Sequence, residues 1–315
     1  MAIGVKAIGR YIAPEKVSNL ARSERAGKDP AFIRDKIGFE ALARLPAGME
    51  TSDMCVAALA DLREKSGIRS EDVDCLIVCT QNPDAHGLPH SSAIVHKKLG
   101  LKREVACFDI SLGCSGYVYG LSVIDSFMRA NDLRCGLLFT ADPYSRIVDP
   151  EDWDTELLFG DAATVTWLGG DPVYRCRPAL FGTDGSLGHS IAVPRRGGTL
   201  SMLGSNVFKF SMTVVPEQIE CCLQRSGLSP DDIDVFLFHQ GSRFIVENLA
   251  KKMGLPPAKV PFEAAQVGNT VSSSLPLMLQ SRLETRPARI LMSGFGVGLS
   301  WATMILEKTH SPEMK

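Results

Sequence analysis

A chain of 315 residues with a 45% apolar share can bury one large core or two of ordinary size without disulfide or metal staples. The net charge is −2 and the basic residues are scattered in pairs such as Lys97-Lys98 and Lys251-Lys252. That excludes the basic stripe that nucleic acid requires, and no apolar run approaches the length of a membrane span. Nine cysteines, odd in number and without Cys-x-x-Cys spacing, read as free thiols. Apart from Cys114 they are expected to be small buried hydrophobes in a reducing cytoplasm. The start of the chain runs into a strand-like segment without signal-peptide architecture, which fits a cytoplasmic protein with no membrane insertion.

In chain order, apolar runs rich in Val, Ile, Leu and Phe predict strands over 4–9, 73–80, 105–110, 134–141, 162–168, 173–182, 233–239, 288–294 and 299–307. Between them, 51–66, 89–100, 115–131, 212–227, 242–254 and 272–284 read as helices, several with a polar N-cap and a closing glycine. This alternation is the α/β pattern.

The chain also repeats itself. The run from Ser66-Gly67-Ile68 to Asp74 matches that from Ser226-Gly227-Leu228 to Asp234, an offset of 160. Lys97-Lys98-Leu99-Gly100-Leu101 matches Lys251-Lys252-Met253-Gly254-Leu255 at 154, and Arg134-Cys135-Gly136 matches Arg289-Ile290-Leu291 at 155. Two duplicated α/β halves are expected, 1–170 and 171–315. A pseudo-two-fold would bring equivalent strand ends and helix starts together. Cys114-Ser115-Gly116 then faces Gly268-Asn269-Thr270, and the strand counterpart of 73–80 ends on His239.

These residue types suit acyl chemistry. A thiol at a helix N-terminus, here flanked by Ser111, Gly113, Ser115 and Gly116, is expected to have a lowered pKa and room for a substrate. His239 could donate to a developing oxyanion or move a proton, and the Asn269 amide could supply a second donor. Taken singly, each has a second reading: a structural cysteine, a satisfied core histidine, a turn asparagine. Gly294-Phe295-Gly296-Val297-Gly298 precedes a strand-like run, so it reads as a tight turn that brings backbone N–H groups to a carbonyl. A dinucleotide fingerprint would open a helix. Phe159-Gly160-Asp161 reads as a turn into a strand, with Asp161 structural.

Together these motifs resemble the β-ketoacyl-[acyl-carrier-protein] synthase III family, nearly end to end. The resemblance rests on Asp109 to Tyr117, Phe159-Gly160-Asp161, Asn206-Val207-Phe208-Lys209, His239-Gln240, Gly268-Asn269-Thr270 and Gly294-Phe295-Gly296. It implies a thiolase-like five-layered αβαβα fold, a homodimer, and an acyltransferase of fatty acid biosynthesis that needs neither cofactor nor metal. Cys114 would take an acyl group from acyl-CoA. Malonyl-CoA or malonyl acyl-carrier protein would then lose CO₂ and attack it in a Claisen condensation to a 3-oxoacyl product. His239 and Asn269 would hold the enolate, and the backbone N–H groups of Cys114 and Val297 the acyl oxyanion.

The resemblance also implies CoA contacts at Phe32, Lys36, Trp153, Asn206, Gly241 and Ser242, and an acyl-pocket residue, Leu88, that reaches across a dimer. Leucine there, where the family has phenylalanine, would leave room for chains longer than acetyl. The chain departs from the family in several places. Phe32, Lys36 and Trp153 stand for a tryptophan and two arginines, Ser242 for an asparagine, and Phe244 for an arginine that touches the carrier protein. Val297 stands for a glycine and requires a negative φ. Beside the condensing enzyme, an acyltransferase with a hydroxyl or amine acceptor, thiolase-type chemistry, and a non-catalytic partner subunit are the other readings.

Overall fold

Residues 3–195 and 197–309 are described in the computed structural model of the chain. In the first half the elements are β1 (Gly4–Ile12), β2 (Glu15–Ser18), α1 (Pro30–Phe32), β3 (Ala41–Arg44), α2 (Thr51–Ser66), β4 (Cys75–Cys79), α3 (Ser91–Leu99), β5 (Ala106–Ile110), α4 (Gly116–Ala130), β6 (Cys135–Ala141), α5 (Trp153–Glu156) and β7 (Ala162–Gly169). The second half holds β8 (Tyr174–Cys176), β9 (Leu180–Thr183), β10 (Ile191–Ala192), β11 (Ser201–Met202), α6 (Gly204–Ser226), β12 (Val235–Phe238), α7 (Arg243–Lys252), α8 (Ser274–Thr285), β13 (Arg289–Gly296) and β14 (Ser300–Lys308).

The predicted strand over 173–182 is two strands, because Pro178 has no N–H to give a continuous ladder; β8 and β9 each pair with β14. Helix α6 starts at Gly204, a turn or more before the predicted start, and α8 at Ser274, after a 3₁₀ turn over Val271–Ser273. The β2–β3 and β10–β11 ribbons were not predicted; strands of two to four residues carry too few side chains to display a period.

The strands run β12-β13-β14-β8-β1-β7-β6-β4-β5. Among the described residues the two half-sheets pair where Val5 of β1 meets Tyr174 of β8. Helices α4 and α8 lie between the half-sheets, where Tyr117, Leu121 and Ile124 and then Leu275 and Leu279 share one core with Ile77 and Leu138 on one side and Met292 and Met304 on the other. Helices α2 and α3 cover the outer face of the first half-sheet and α6 and α7 that of the second, which completes five layers. The repeat is carried into atomic detail: α2 and α6 end on left-handed glycines, Gly67 at φ 68° and Gly227 at φ 65°. Asp74 and Asp234 accept from the N–H groups of Arg134 and Arg289 at 2.8 and 2.9 Å. All nine cysteines are free; Cys107, Cys176 and Cys221 are half-buried where full burial was expected. Among the described residues no helix is long and apolar enough to cross a membrane.

The halves meet at a parallel bridge between Phe159 and Asn269. The Asn269 N–H donates to the Leu158 carbonyl at 2.8 Å, and the Gly160 N–H donates to the Asn269 carbonyl at 3.0 Å. A Cβ on Gly160 would stand 1.7 Å from the Val267 carbonyl oxygen, a backbone atom that cannot swing aside. Gly160→Ala is therefore expected to lower unfolding free energy by about 3 kcal/mol or more, measured by chemical denaturation. An unchanged midpoint would show that this junction relaxes freely.

Candidate active site

Cys114 follows β5 and immediately precedes α4, whose N-cap is Ser115; the Ser115 hydroxyl lies 2.7 Å from that of Ser300 and ties the turn to β14. The backbone N–H groups of Val297 and of Cys114 itself lie toward its sulfur and favour the thiolate. This approach is possible because residue 296 is glycine: a Cβ there would lie 2.7 Å from the sulfur. The turn expected over 294–298 is shorter: Gly294, Phe295 and Gly296 close β13, paired with Ala302, Trp301 and Ser300 of β14, and the chain turns only after Gly296, where Val297 keeps a negative φ, as a side chain there demands.

His239 ends the β12 run, its N–H donating to the Ser293 carbonyl at 2.9 Å. Its Nδ1 lies 2.8 Å from the Ser274 hydroxyl, and its ring stands edge-on to Phe295. Asn269 accepts at Oδ1 from the Val271 N–H at 2.9 Å, which commits the oxygen and leaves the amide N–H₂ for the cavity. Cys114, His239 and Asn269, far apart in sequence, thus line one cavity of about 450 Å³.

Burial governs the electrostatics. It pushes the Cys114 thiol up to about 12 against the pull of its two N–H donors, and the His239 imidazole down to about 3. This corrects the expectation of a lowered cysteine pKa: the helix terminus favours a thiolate, but desolvation outweighs it. The resting pair is a thiol and a neutral imidazole. Asp161 is the structural residue expected, buried and accepting from the N–H of Leu45 and Ser145.

The mouth of the cavity is aromatic and cationic. Phe32, Lys36, Trp153, Gly241 and Ser242 all line it, together with Phe208 and Phe244. Phe244 stacks on Phe208 with centroids 5.1 Å apart, and Lys36 Nζ sits 4.3 Å above Phe244. Lys28 lies over Phe32 and pairs with Asp154, while Arg22 and Arg25 flank Trp153. The Ser242 hydroxyl is committed to the Ile245 N–H as the cap of α7. Asn206 is not part of the lining; its amide donates to the Ser190 hydroxyl at 3.2 Å. Leu88 is 85% exposed and lies outside its own chain's cavity.

Several site residues escaped the sequence reading: Tyr144, Ile191 and Met202 in the wall, and Ser274 and Asp142 behind it. One signal was available in the run Ser272-Ser273-Ser274, three hydroxyls at the head of a buried helix. Each needs a partner, and they find Asp142, Thr140 and His239 in turn.

The chain matches the 3-oxoacyl-[acyl-carrier-protein] synthase III family over residues 108–185, and that family's C-terminal domain over 223–308. Beta-ketoacyl-[acyl-carrier-protein] synthase III 2 of Streptomyces coelicolor is 34% identical, over 95% of this chain and 92% of its own length. A crystal structure of a 3-oxoacyl-(acyl-carrier-protein) synthase III superposes with a TM-score of 0.91 at 31% identity, covering 98% of this chain and 100% of that one. The priming β-ketosynthase of the R1128 polyketide pathway superposes at 0.87 with 27% identity, covering 99% of this chain and 97% of that one. With a cysteine, a histidine and an asparagine converging at the junction of two repeated halves, this chain belongs to the 3-oxoacyl-[acyl-carrier-protein] synthase III family of condensing enzymes.

Proposed function

We propose that Cys114 takes an acyl group from acyl-CoA and that the acyl-enzyme condenses with the carbanion of a decarboxylated malonyl thioester. The convergence of Cys114, the unpartnered edge of His239 and the Asn269 amide on one cavity carries this reading. The cysteine sulfur attacks the thioester carbon, CoA leaves with the thiol proton, and the N–H groups of Cys114 and Val297 hold the oxyanion. Donation from the Ser274 hydroxyl to Nδ1 puts the imidazole proton on Nε2. His239 and Asn269 then offer two donors to the enolate formed as CO₂ departs, after which the new carbon–carbon bond forms and the cysteine thiolate is expelled.

The rings of Phe32 and Trp153, with Lys28, Lys36, Arg22 and Arg25 beside them, suit the base and phosphates of CoA at the mouth. The half-buried stack of Phe244 on Phe208 favours a second reading of the acceptor. With a ring in place of an arginine there, and Lys36 engaged over that ring, the rim steers an acidic carrier protein less well, so malonyl-CoA or a small hydroxyl or amine acceptor competes better. The reading includes a homodimer: β5 is an edge strand with every residue only half-buried, and Leu88 projects from a neighbouring loop.

Three outcomes test this. Incubation with acyl-CoA should add one acyl mass, mapped to Cys114 and lost in Cys114→Ala; adduct on Cys107 or Cys135 would refute the assignment. His239→Ala and Asn269→Ala should still acylate but release CO₂ roughly 10²- to 10³-fold more slowly, read by single-turnover acylation alongside CO₂ evolution. Equal loss of both half-reactions would move these residues out of the condensation step. Because burial keeps the Cys114 thiol protonated and His239 neutral, alkylation of Cys114 by iodoacetamide should climb about tenfold per pH unit from roughly pH 6 to 9. A plateau reached below neutrality would reveal a thiolate–imidazolium pair instead.

A further inference from the structure

One buried carboxylate takes no part in acylation or condensation. Asp142 directly follows β6, is fully buried, and makes no ion pair among the described residues. A carboxylate in a dry interior without a cation is costly, so it is the donors around it that hold it there. Two come from the end of β4, the parallel neighbour of β6: the Gln81 N–H at 2.7 Å and the Thr80 hydroxyl at 3.4 Å. The third, the Ser272 hydroxyl at 2.5 Å, comes from the second half.

Ser272 stands in the 3₁₀ turn over Val271–Ser273, between Asn269 and Ser274. That turn opens on Val271 at φ 52°, a left-handed conformation in which a β-branched side chain is crowded. Such a conformation persists only where its surroundings over-determine it. Asn269 depends on it, because the Val271 N–H holds Oδ1 at 2.9 Å and so leaves the amide N–H₂ for the cavity. Two residues beyond Ser272, the Ser274 hydroxyl sets the His239 ring. Ser273 gives the turn a second hold, its hydroxyl 2.8 Å from that of Thr140.

We propose that Asp142 is a positioning residue for the condensation. Through Ser272 it keeps Val271 in its left-handed turn, which aims the Asn269 amide and sets Ser274 against His239. This rests on the reading that His239 and Asn269 serve the enolate. Cys114 takes its place from α4 and the tie of Ser115 to β14, so acylation should survive the loss of Asp142.

The test separates the two half-reactions in the full chain and in variants whose melting temperatures are measured in parallel. Acylation is read by intact-protein mass with acetyl-, butyryl- and octanoyl-CoA, and CO₂ release by titrating the best-loaded acyl-enzyme with malonyl-CoA. Asp142→Ala should cut the maximal rate of CO₂ release about tenfold or more, and Ser272→Ala, which leaves the hold at Ser273, by a smaller factor. In both, the KM for malonyl-CoA and the acylation rate should stay within about twofold. Asp142→Asn, which can still bond the Ser272 hydroxyl and accept from the Gln81 N–H, should restore most of the rate. Ser272→Ala alone decides the matter if Asp142→Ala does not fold. CO₂ release unchanged in the folded variants, or acylation falling in step with it, or Asp142→Asn as slow as Asp142→Ala, would overturn the proposal. Undiminished CO₂ release in His239→Ala would instead remove the reading on which it stands.

Discussion

The backbone bridge between Phe159 and Asn269 is the constraint on which the site depends. Through it a turn of the second half is hydrogen-bonded into the first half, at Leu158 and Gly160, and the Asn269 amide is aimed by that bond before any side chain contributes. The residues that follow extend the stitch. Ser272 donates to Asp142 at 2.5 Å, the hydroxyls of Ser273 and Thr140 are 2.8 Å apart, and that of Ser274 meets His239. Each is a buried polar group that would cost about 1–3 kcal/mol if left alone, so a shift of register by one residue would be penalised three times. The turn is specified by polar satisfaction more than by apolar packing.

Close approach of backbones does the same work around Cys114. The hairpin between β13 and β14 can present the Val297 N–H to the Cys114 sulfur because residue 296 has no side chain to intervene. A side chain at 297 is accommodated because that residue keeps a negative φ, while the strained conformation is taken by Gly298 at φ 135°. The site is therefore built by main chain on one side and by two second-half side chains on the other.

Charge is segregated along the cavity. Beside Cys114 its interior holds neutral groups, a thiol raised by burial and an imidazole lowered by it; the Asp142 carboxyl behind the wall is pushed up to about 6 by the same cause but stays mostly ionised at neutral pH. The cations stand at the mouth, where water can reach them. Donors fixed in a dry interior are worth more to a developing oxyanion than the same donors in water.

Much of this was legible in the chain itself. Apolar periodicity and glycine caps located most of the long strands and helices, because those signals arise within a turn or a strand pair of neighbouring residues. The repeat of Ser66 to Asp74 at Ser226 to Asp234 pointed to the meeting of Cys114, His239 and Asn269 at one cavity, because a duplication carries its own geometry. The protonation state of Cys114 was not legible: a helix terminus can be read from order, but the depth of burial that overrides it cannot. Nor were Tyr144 and Gln81, Ser274 and His239, or Phe208 and Phe244, which the fold pairs across 63, 35 and 36 positions of chain. The sequence by itself determined most of the elements and which three side chains, Cys114, His239 and Asn269, meet at one cavity, since both leave a periodic or internally copied trace. Which wall residues close on them, and which charges survive there, was decided by tertiary packing alone, since contacts between distant, unrepeated positions follow no period.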